Sequence, residues 1–458
     1  MQFENQDDTI CALSTAQGTG AIAIVRISGS KALEIAASIS KKGPDAYVPN
    51  KSIFARIFKN DELLDETVIT YFKNPSSFTG EDVIEIACHG SVYIQKELLK
   101  LLVQKGCRMA NPGEFSFRAF LNKKMDLSQT EAIADLISSD SAASHRVAMN
   151  QMRGGFSEEI RELRQELLNF ASLIELELDF SQEDVEFADR TALVELITKI
   201  DNRIRKLINS FQLGNVLKDG VPVAIIGPPN AGKSTLLNAI LNEDKAIVSD
   251  IAGTTRDSIE DVINIGGVNF RFIDTAGIRK TKDVVENLGI QRSYDHIKKA
   301  RIILYLMDLD SKTVSIEKLT ERIASFRADS VHDDQELIPV FNKIDLNQNV
   351  SKEELSKLGI VISAKNKSGV NQLIEKLTKS VSLSDSDNII VSNVRHFDVL
   401  NKSQQALEKV SFGLDNEIPG DLLAMDIREA LDYLGEITGE VSNDELLGNI
   451  FGNFCIGK

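Results

Sequence analysis

The spacing of hydrophobic positions changes character several times along the 458-residue chain. Up to about residue 120, short apolar runs at Ala21 to Ile27, Val68 to Phe72 and Val83 to Ala87 are interleaved with amphipathic stretches at Ser30 to Ile39 and Val92 to Gln104, which predicts an α+β domain. From Ser128 the period becomes three to four, through Ile133, Leu136 and Ile137, and Ser128 with Glu131 reads as a capping box that opens a run of helices to about Gln212. Gly214, Asn215, Lys218, Asp219 and Gly220 then read as a short polar linker. Beyond it, apolar runs at Val221 to Ile226, Val268 to Ile273, Leu337 to Phe341 and Leu358 to Ile362 alternate with helical stretches, an α/β pattern extending to about Ser380. After the Ser/Asp-rich stretch Ser380 to Asn388, helical spacing returns at Phe397, Leu400, Ala406 and Val410, continues over Leu422 to Leu434, and restarts at a Ser442 and Glu445 pair. The expected organisation is therefore an α+β domain (1–120) and an all-α domain in two parts (121–213 and 381–458), interrupted by an α/β insert (214–380). Such an insertion leaves a host fold intact when the guest's ends lie close together.

The chemistry of the insert is set by residues at the ends of its predicted strands. Gly227-Pro228-Pro229-Asn230-Ala231-Gly232-Lys233-Ser234 lies between the apolar run ending at Ile226 and the helix-like Thr235 to Leu241, the order that a phosphate cradle requires. Its glycines let backbone N–H groups turn toward phosphates, Lys233 can reach the β and γ oxygens, and the Ser234 hydroxyl can ligate Mg²⁺. Asn342-Lys343-Ile344-Asp345 follows another apolar run, so an Asp emerges where ligands of open α/β sheets bind. A carboxylate there accepts from both the ring N–H and the exocyclic amine of guanine, a pair that adenine lacks. Asn342 is expected to brace the loop, the Lys343 stem to lie along the base, and Ser363-Ala364-Lys365 to offer a backbone N–H to the guanine oxygen. Together these elements predict a P-loop GTPase domain.

Between them, Asp274-Thr275-Ala276-Gly277 ends an alternating stretch, with a carboxylate placed to hold Mg²⁺ through water and a Gly277 N–H for the γ-phosphate. Gly253-Thr254-Thr255-Arg256-Asp257 supplies Thr255 as a second Mg²⁺ contact, in a loop that orders only while the γ-phosphate is present. The next residue after the DTAG segment is Ile278, where many switch GTPases carry a Gln that orients the attacking water. An apolar side chain cannot make that hydrogen bond. Glu286 is the candidate replacement, being about two helical turns further on; the alternative is a solvated glutamate on a helix face. Arg256 and Arg279 are the nearby guanidinium groups.

Composition sets limits. A hydrophobic content of 42% allows real cores, and a net charge of −16 opposes nonspecific adhesion to nucleic acid. Residues 1–125 carry 15 Lys and Arg against 14 Asp and Glu, so the acidity lies in the rest of the chain and any RNA contact must be local. Lys96, Lys100, Lys105 and Arg108 form a candidate basic stripe, with a solvated helix face as the alternative. No apolar run approaches the roughly 20 residues that span a bilayer, and Met1 to Asp8 lack the basic start of a secretory signal, so a cytoplasmic location is expected. Cys11, Cys88, Cys107 and Cys455 have no zinc-like or disulfide-like spacing.

Asn230 in the phosphate loop, Ser249-Asp250-Ile251-Ala252-Gly253-Thr254-Thr255-Arg256-Asp257, the DTAG followed by an apolar residue, Ser77-Phe78-Thr79-Gly80-Glu81-Asp82, Pro112-Gly113-Glu114-Phe115, and the terminal Phe454-Cys455-Ile456-Gly457-Lys458 together resemble the MnmE (TrmE) family of tRNA-modification GTPases. The likeness runs the whole length of the chain. It implies that K⁺ sits against the phosphates in place of an arginine finger, held by Asn230, Ser249, Ile251 and Thr254, and that Glu286 is the catalytic glutamate. It also implies that the first domain binds a tetrahydrofolate one-carbon derivative through Arg26, Glu85, Lys124 and Lys458 and pairs in a homodimer. Glu81, four residues from Glu85, is an alternative register for the folate carboxylate contact. Cys455 is either a nucleophile near that chemistry or a small apolar residue.

By the same resemblance the chain is a K⁺-activated GTP hydrolase. With a flavoprotein partner, MnmG (GidA), which uses FAD and NADH, it adds a carboxymethylaminomethyl-type group to C5 of the wobble uridine of certain tRNAs. No GxGxxG follows a strand in this chain, which fits a flavin held elsewhere; neither a membrane nor DNA is an expected partner. Two other readings are a ribosome-assembly GTPase, which leaves the folate-like domain and the Cys-Ile-Gly-Lys tail unexplained, and a folate aminomethyltransferase acting without a flavoprotein.

Overall fold

The structure is a computed structural model that describes residues 8–179, 190–241, 246–248, 261–273, 296–309, 315–332, 335–346, 351–381, 389–416, 418–442 and 444–457. Among these the strands are, in chain order, β1 Ile10–Leu13, β2 Ile22–Ser28, β3 Ser52–Lys59, β4 Glu62–Phe72, β5 Val83–His89, β6 Arg108–Met109, β7 Val221–Ile226, β8 Ala246–Val248, β9 Asp261–Ile265, β10 Val268–Phe272, β11 Ile302–Asp308, β12 Glu336–Asn342 and β13 Ile360–Val361. The helices are α1 Ala32–Ser40, α2 Val92–Gln104, α3 Glu114–Leu121, α4 Leu127–Ser138, α5 Ala142–Met152, α6 Gly155–Asp179, α7 Arg190–Asp219, α8 Lys233–Leu241, α9 Ile316–Ser330, α10 Lys352–Leu358, α11 Val370–Ser380, α12 Val394–Asp415, α13 Gly420–Thr438 and α14 Asp444–Gly452. The chain divides into two compact units, one of Met1–Ile137, Gln151–Asn202 and Val399–Lys458, the other of Ser138–Asn150 and Arg203–Asp398.

In the first unit a six-stranded sheet runs in the order β3-β4-β5-β2-β1-β6, antiparallel except for the β1–β6 pair. Strand alternation gives it two different faces. Ala23, Val25, Ile27, Ile84 and Ile86 are buried in one core with Ile35 of α1 and Leu98, Leu101 and Leu102 of α2. The opposite face carries Arg26 and Glu85, partners across β2 and β5, and beside them the cross-strand row Phe54, Val68, Ala87 and Ile24. Helix α6 packs on α13, with Arg164 paired to Glu440 at 2.5 Å. Helix α14 seats Phe451 against Phe117 of α3 in an edge-on contact, ring centroids 5.2 Å apart.

Two local expectations change. The capping box that opens α4 is formed by Asp126 and Gln129: the Gln129 N–H donates to Asp126 Oδ1 at 2.9 Å, and the Asp126 N–H donates to Gln129 Oε1 at 3.0 Å. Ser128 and Glu131 instead lie within the helix, where the Ser128 carbonyl accepts from Gln151 Nε2 at 3.1 Å. The 214–220 segment is not a linker, because α7 continues to Asp219. A Cβ on Gly214 would stand 2.1 Å from the Val391 carbonyl oxygen, so a residue assigned to the linker is a close packing point.

The second unit is built on a seven-stranded sheet ordered β13-β12-β11-β7-β10-β9-β8, parallel from β13 to β10 and antiparallel at β9 and β8. Its strands read as near-continuous apolar runs because both faces are covered. Val221, Val223, Leu304, Leu306, Ile338 and Val340 are all buried in one cluster with Leu236 and Leu237 of α8 and Leu373 of α11. No helix among the described residues is long and apolar enough to cross a membrane.

Candidate functional site

The candidate nucleotide site begins where β7 ends. Gly227 must lack a side chain, since a Cβ there would stand 2.3 Å from the Leu306 carbonyl oxygen. Gly232 has φ +95°, and a Cβ on it would lie 2.4 Å from Asn342 Nδ2. Asn230, at φ +62°, turns the loop and is exposed, while Ser234 and Lys233 are half-buried and Thr235 is exposed at the start of α8. Lys233 Nζ donates to the Gly227 and Pro228 carbonyls at 2.8 and 2.9 Å, folding its ammonium over the loop. Burial holds its pKa below the usual lysine range, a situation that a polyphosphate would relieve.

Asn342, only 2% exposed, joins three motifs. Its Nδ2 donates to the Ala231 carbonyl at 2.8 Å, and its Oδ1 accepts from the Ala364 N–H at 3.0 Å. A buried backbone group left unpaired costs about 1–3 kcal/mol, so one amide fixes the phosphate loop and the Ser363-Ala364-Lys365 loop together. Ser363 is buried, its N–H donating to Ser368 O at 2.9 Å, and Lys365 is exposed. Lys343, at φ +66°, is pinned by Asp308 Oδ2 at 2.6 Å. Sequence reasoning passed over Asp308; its signal was an Asp at the end of the apolar run neighbouring the one that carries Asn342, since β11 pairs Asp308 with Asn342. Asp345 is exposed in the 3₁₀ turn Ile344–Leu346, which the Ile344 N–H ties to Ile362 O at 3.3 Å.

Ser249, Asp250, Ile251, Ala252, Gly253, Thr254, Thr255, Asp274, Thr275, Ala276, Gly277, Ile278, Glu286 and Lys458 lie outside the described residues. The chain approaches Asp274 beside the phosphate loop's own strand, because the Ile273 N–H donates to Val223 O of β7 at 3.0 Å.

A second constellation occupies the open face of the first unit's sheet. Arg26 and Glu85 bond to each other, Nε and Nη2 donating to Glu85 Oε1 at 3.0 and 2.8 Å, and the guanidinium lies 5.2 Å from the Phe78 ring centroid and 5.6 Å from that of Phe115. Glu81 is engaged elsewhere, by Ser28 Oγ at 2.7 Å and by Arg118 at 3.1 Å. Arg118, 4% exposed, also bonds Asp8 and Glu114 and so anchors the 77–82 and 112–115 segments around Arg26. At Glu114 burial is the largest influence and pushes the pKa up; it is outweighed by Arg108, the Asn111 N–H and Arg118, which hold the carboxyl below its ordinary range. Arg108 is thus part of this ion network and Lys100 pairs with Glu97, so two of the four residues of the basic stripe are engaged by carboxylates.

Lys124 reaches the same edge, its Nζ donating to Pro75 O at 3.0 Å and its stem beside Gly80. The carboxyl-terminal tail folds back onto the sheet: the Gly113 N–H donates to Cys455 O at 3.4 Å, and Ser14 Oγ donates to Gly457 O at 3.2 Å. Ser14 follows β1, whose Ala12 is the register partner of Arg26. Cys455 is exposed there.

Two family models match the chain. Residues 9–124 match the model of the GTP-binding protein TrmE N-terminus, and residues 127–455 match that of the MnmE helical domain. The chain belongs to the MnmE family of tRNA modification GTPases. It is 54% identical over 470 residues to the tRNA modification GTPase MnmE of Flavobacterium johnsoniae, covering 98% of this chain and 99% of the relative. The MnmE proteins of Bacteroides thetaiotaomicron and Christiangramia forsetii are each 52% identical, over 98% and 99% of this chain and 99% of each relative. As a member of this family the chain is an enzyme that hydrolyses GTP and takes part in tRNA modification, and the family implies GTP and Mg²⁺.

Proposed function

We propose that this GTPase is K⁺-activated and works with a flavoprotein partner that uses FAD and NADH, to place a carboxymethylaminomethyl-type group on C5 of the wobble uridine of certain tRNAs. One observation carries the reading: Cys455 and Gly457 are tied by Gly113 and Ser14 to the sheet that bears Arg26, within a chain whose phosphate-loop and Asn342 segments are braced together. Arg26, Glu85, Lys124 and Lys458 are the groups assigned to a tetrahydrofolate one-carbon carrier. The Glu85 carboxylate suits the amide and amine edge of a pterin, the cations suit the glutamate tail, and Phe78 and Phe115 flank the place. Glu85 is favoured over Glu81, whose oxygens are committed to Ser28 and Arg118. Cys455, solvent-exposed, is assigned to the same chemistry.

In the GTP site Ser234 and Thr255 are assigned to Mg²⁺, with Asp274 behind it, and Asn230, Ser249, Ile251 and Thr254 to K⁺. The Asn230 amide is exposed on the phosphate loop, a position that suits a cation ligand. A monovalent cation there would offset charge developing between the β and γ phosphates in a loose transition state. Replacing K⁺ by Na⁺ should then lower GTP turnover roughly a hundredfold, the scale of losing one preorganised stabiliser; equal rates in the two salts would remove this role from Asn230.

The domain boundaries read from the sequence, at residues 120, 213 and 380, stay part of this proposal, as does a cytoplasmic location. A homodimer through the first domain is supported by the open sheet face, where Ile22, Phe54 and Val68 are 66%, 57% and 45% exposed. Purified chain supplied with tRNA, a one-carbon folate as the methylene source, glycine as the carboxymethyl-bearing amine, GTP, and the flavoprotein with FAD and NADH should yield modified uridine. Product formed when the flavoprotein is omitted would favour a self-sufficient aminomethyltransferase instead.

A further inference from the structure

Helix α5 lies in sequence among the host helices, yet residues 138–150 belong to the compact unit of the GTPase sheet. The start of the helix grips one feature of that sheet, the turn between β9 and β10. The Ala143 N–H donates to Gly267 O at 3.0 Å, and Asn269 Nδ2 donates to Asp140 Oδ1 at 2.6 Å. Asn269, 4% exposed, also accepts from Asn264 Nδ2 at 2.8 Å, and Asn264 Oδ1 accepts from the Gly267 N–H at 3.3 Å, so the turn and the contact form one hydrogen-bonded unit.

Both partners are stiff. Ile265 pairs with Val268, which makes Gly266-Gly267 a two-residue hairpin turn with both residues at positive φ, +62° and +85°. A Cβ on Gly267 would stand 3.1 Å from the Ala142 Cβ, so the approach is close. The helix end is fixed by a reciprocal pair, Ser144 N–H to Ser141 Oγ at 3.0 Å and Ser141 N–H to Ser144 Oγ at 3.2 Å. Ala143 and Val147, one turn apart, are buried in the same core as Ile263, Ile265 and Phe270.

The position of this hairpin gives the contact its meaning. Strand β9 begins at Asp261, soon after the segment that holds Thr255, and β10 ends at Phe272, just before Asp274. The hairpin therefore joins, in the chain, the segments carrying Thr255 and Asp274, both assigned to the nucleotide under the proposed function on which this inference rests, and α5 holds its far end. We infer that Asp140 and Asn269 are positioning residues through which the nucleotide state of the GTPase is passed to α5. The chain passes from one unit to the other at Ile137/Ser138, before α5, and back at Asn150/Gln151, within the last turn of α5.

The test is amide hydrogen exchange across residues 143–150 of the full chain, with GDP and with a non-hydrolysable GTP analogue. Exchange should differ between the two nucleotides by about fivefold or more, the lower range of measured coupling between sites. Asp140→Ala should abolish that difference while GTP turnover is kept, and Asp140→Asn, whose side-chain oxygen still accepts from Asn269, should retain it. Equal exchange in the two nucleotide states of the unaltered protein would overturn the inference, as would a difference that survives in Asp140→Ala. Joint loss of GTP turnover and of the difference in Asp140→Ala would make the contact a scaffold and also overturn it.

Discussion

Asp345→Asn should weaken GTP binding on the order of 10⁴-fold, because a site built to hydrogen-bond a substrate rejects a mispaired partner by about that much. The carboxylate is exposed at the tip of a turn, free to accept from both the ring N–H and the exocyclic amine of guanine. An asparagine can accept once, and it points a donor at the second donor. Xanthine carries a carbonyl where guanine carries the amine, so xanthosine triphosphate should bind the variant and restore turnover. The backbone of the loop is held independently, by Asp308 on Lys343 and by Asn342 on Ala231 and Ala364, so the substitution alters the reader without collapsing its support. Titrating both nucleotides against both proteins checks this; unchanged GTP affinity in Asp345→Asn would take the base reading away from Asp345.

Glu286→Ala should separate chemistry from binding. Ile278 offers no hydrogen bond to the attacking water, so the group that orients it has to come from elsewhere, and a carboxylate in that role contributes about 10² to 10⁴ to the rate. Single-turnover hydrolysis should fall by that amount in K⁺ buffer while the affinity for GTP stays within about twofold, as expected when an interaction made only in the transition state is removed. A loss of affinity in step with the rate would assign Glu286 to building the loop. An unaltered rate would return it to the solvated helix face considered above.

The parts of this molecule that were legible in its sequence are those decided locally. β7 spans Val221–Ile226 and α2 spans Val92–Gln104, as the apolar spacing predicts, because a continuous buried run and an amphipathic stripe are properties of consecutive residues. The GTPase motifs were readable for the same reason, since each is a short loop at a strand end. What escaped was decided by distant partners. Ser128-x-x-Glu131 and Asp126-x-x-Gln129 both satisfy a capping pattern; Asp126 and Gln129 form the box, and Ser128, inside the helix, takes a bond from Gln151. Gly214 was assigned to the linker and proved to be a contact with Val391. Arg108 looked like part of a stripe for polyanions and is paired with Asp8 and Glu114. The attachment of α5 to the interswitch hairpin follows from Asn269 meeting Asp140, 129 positions away, and no periodicity carries that information.

The proposed pairing of a guanine-nucleotide site with a one-carbon site on a single chain has a modified tRNA as its expected product. Mass spectrometry of wobble-position nucleosides, from cells with and without this gene, tests that claim most directly. Loss of the carboxymethylaminomethyl group at uridine C5, restored by the intact gene, is the predicted result, and an unchanged nucleoside profile would contradict it.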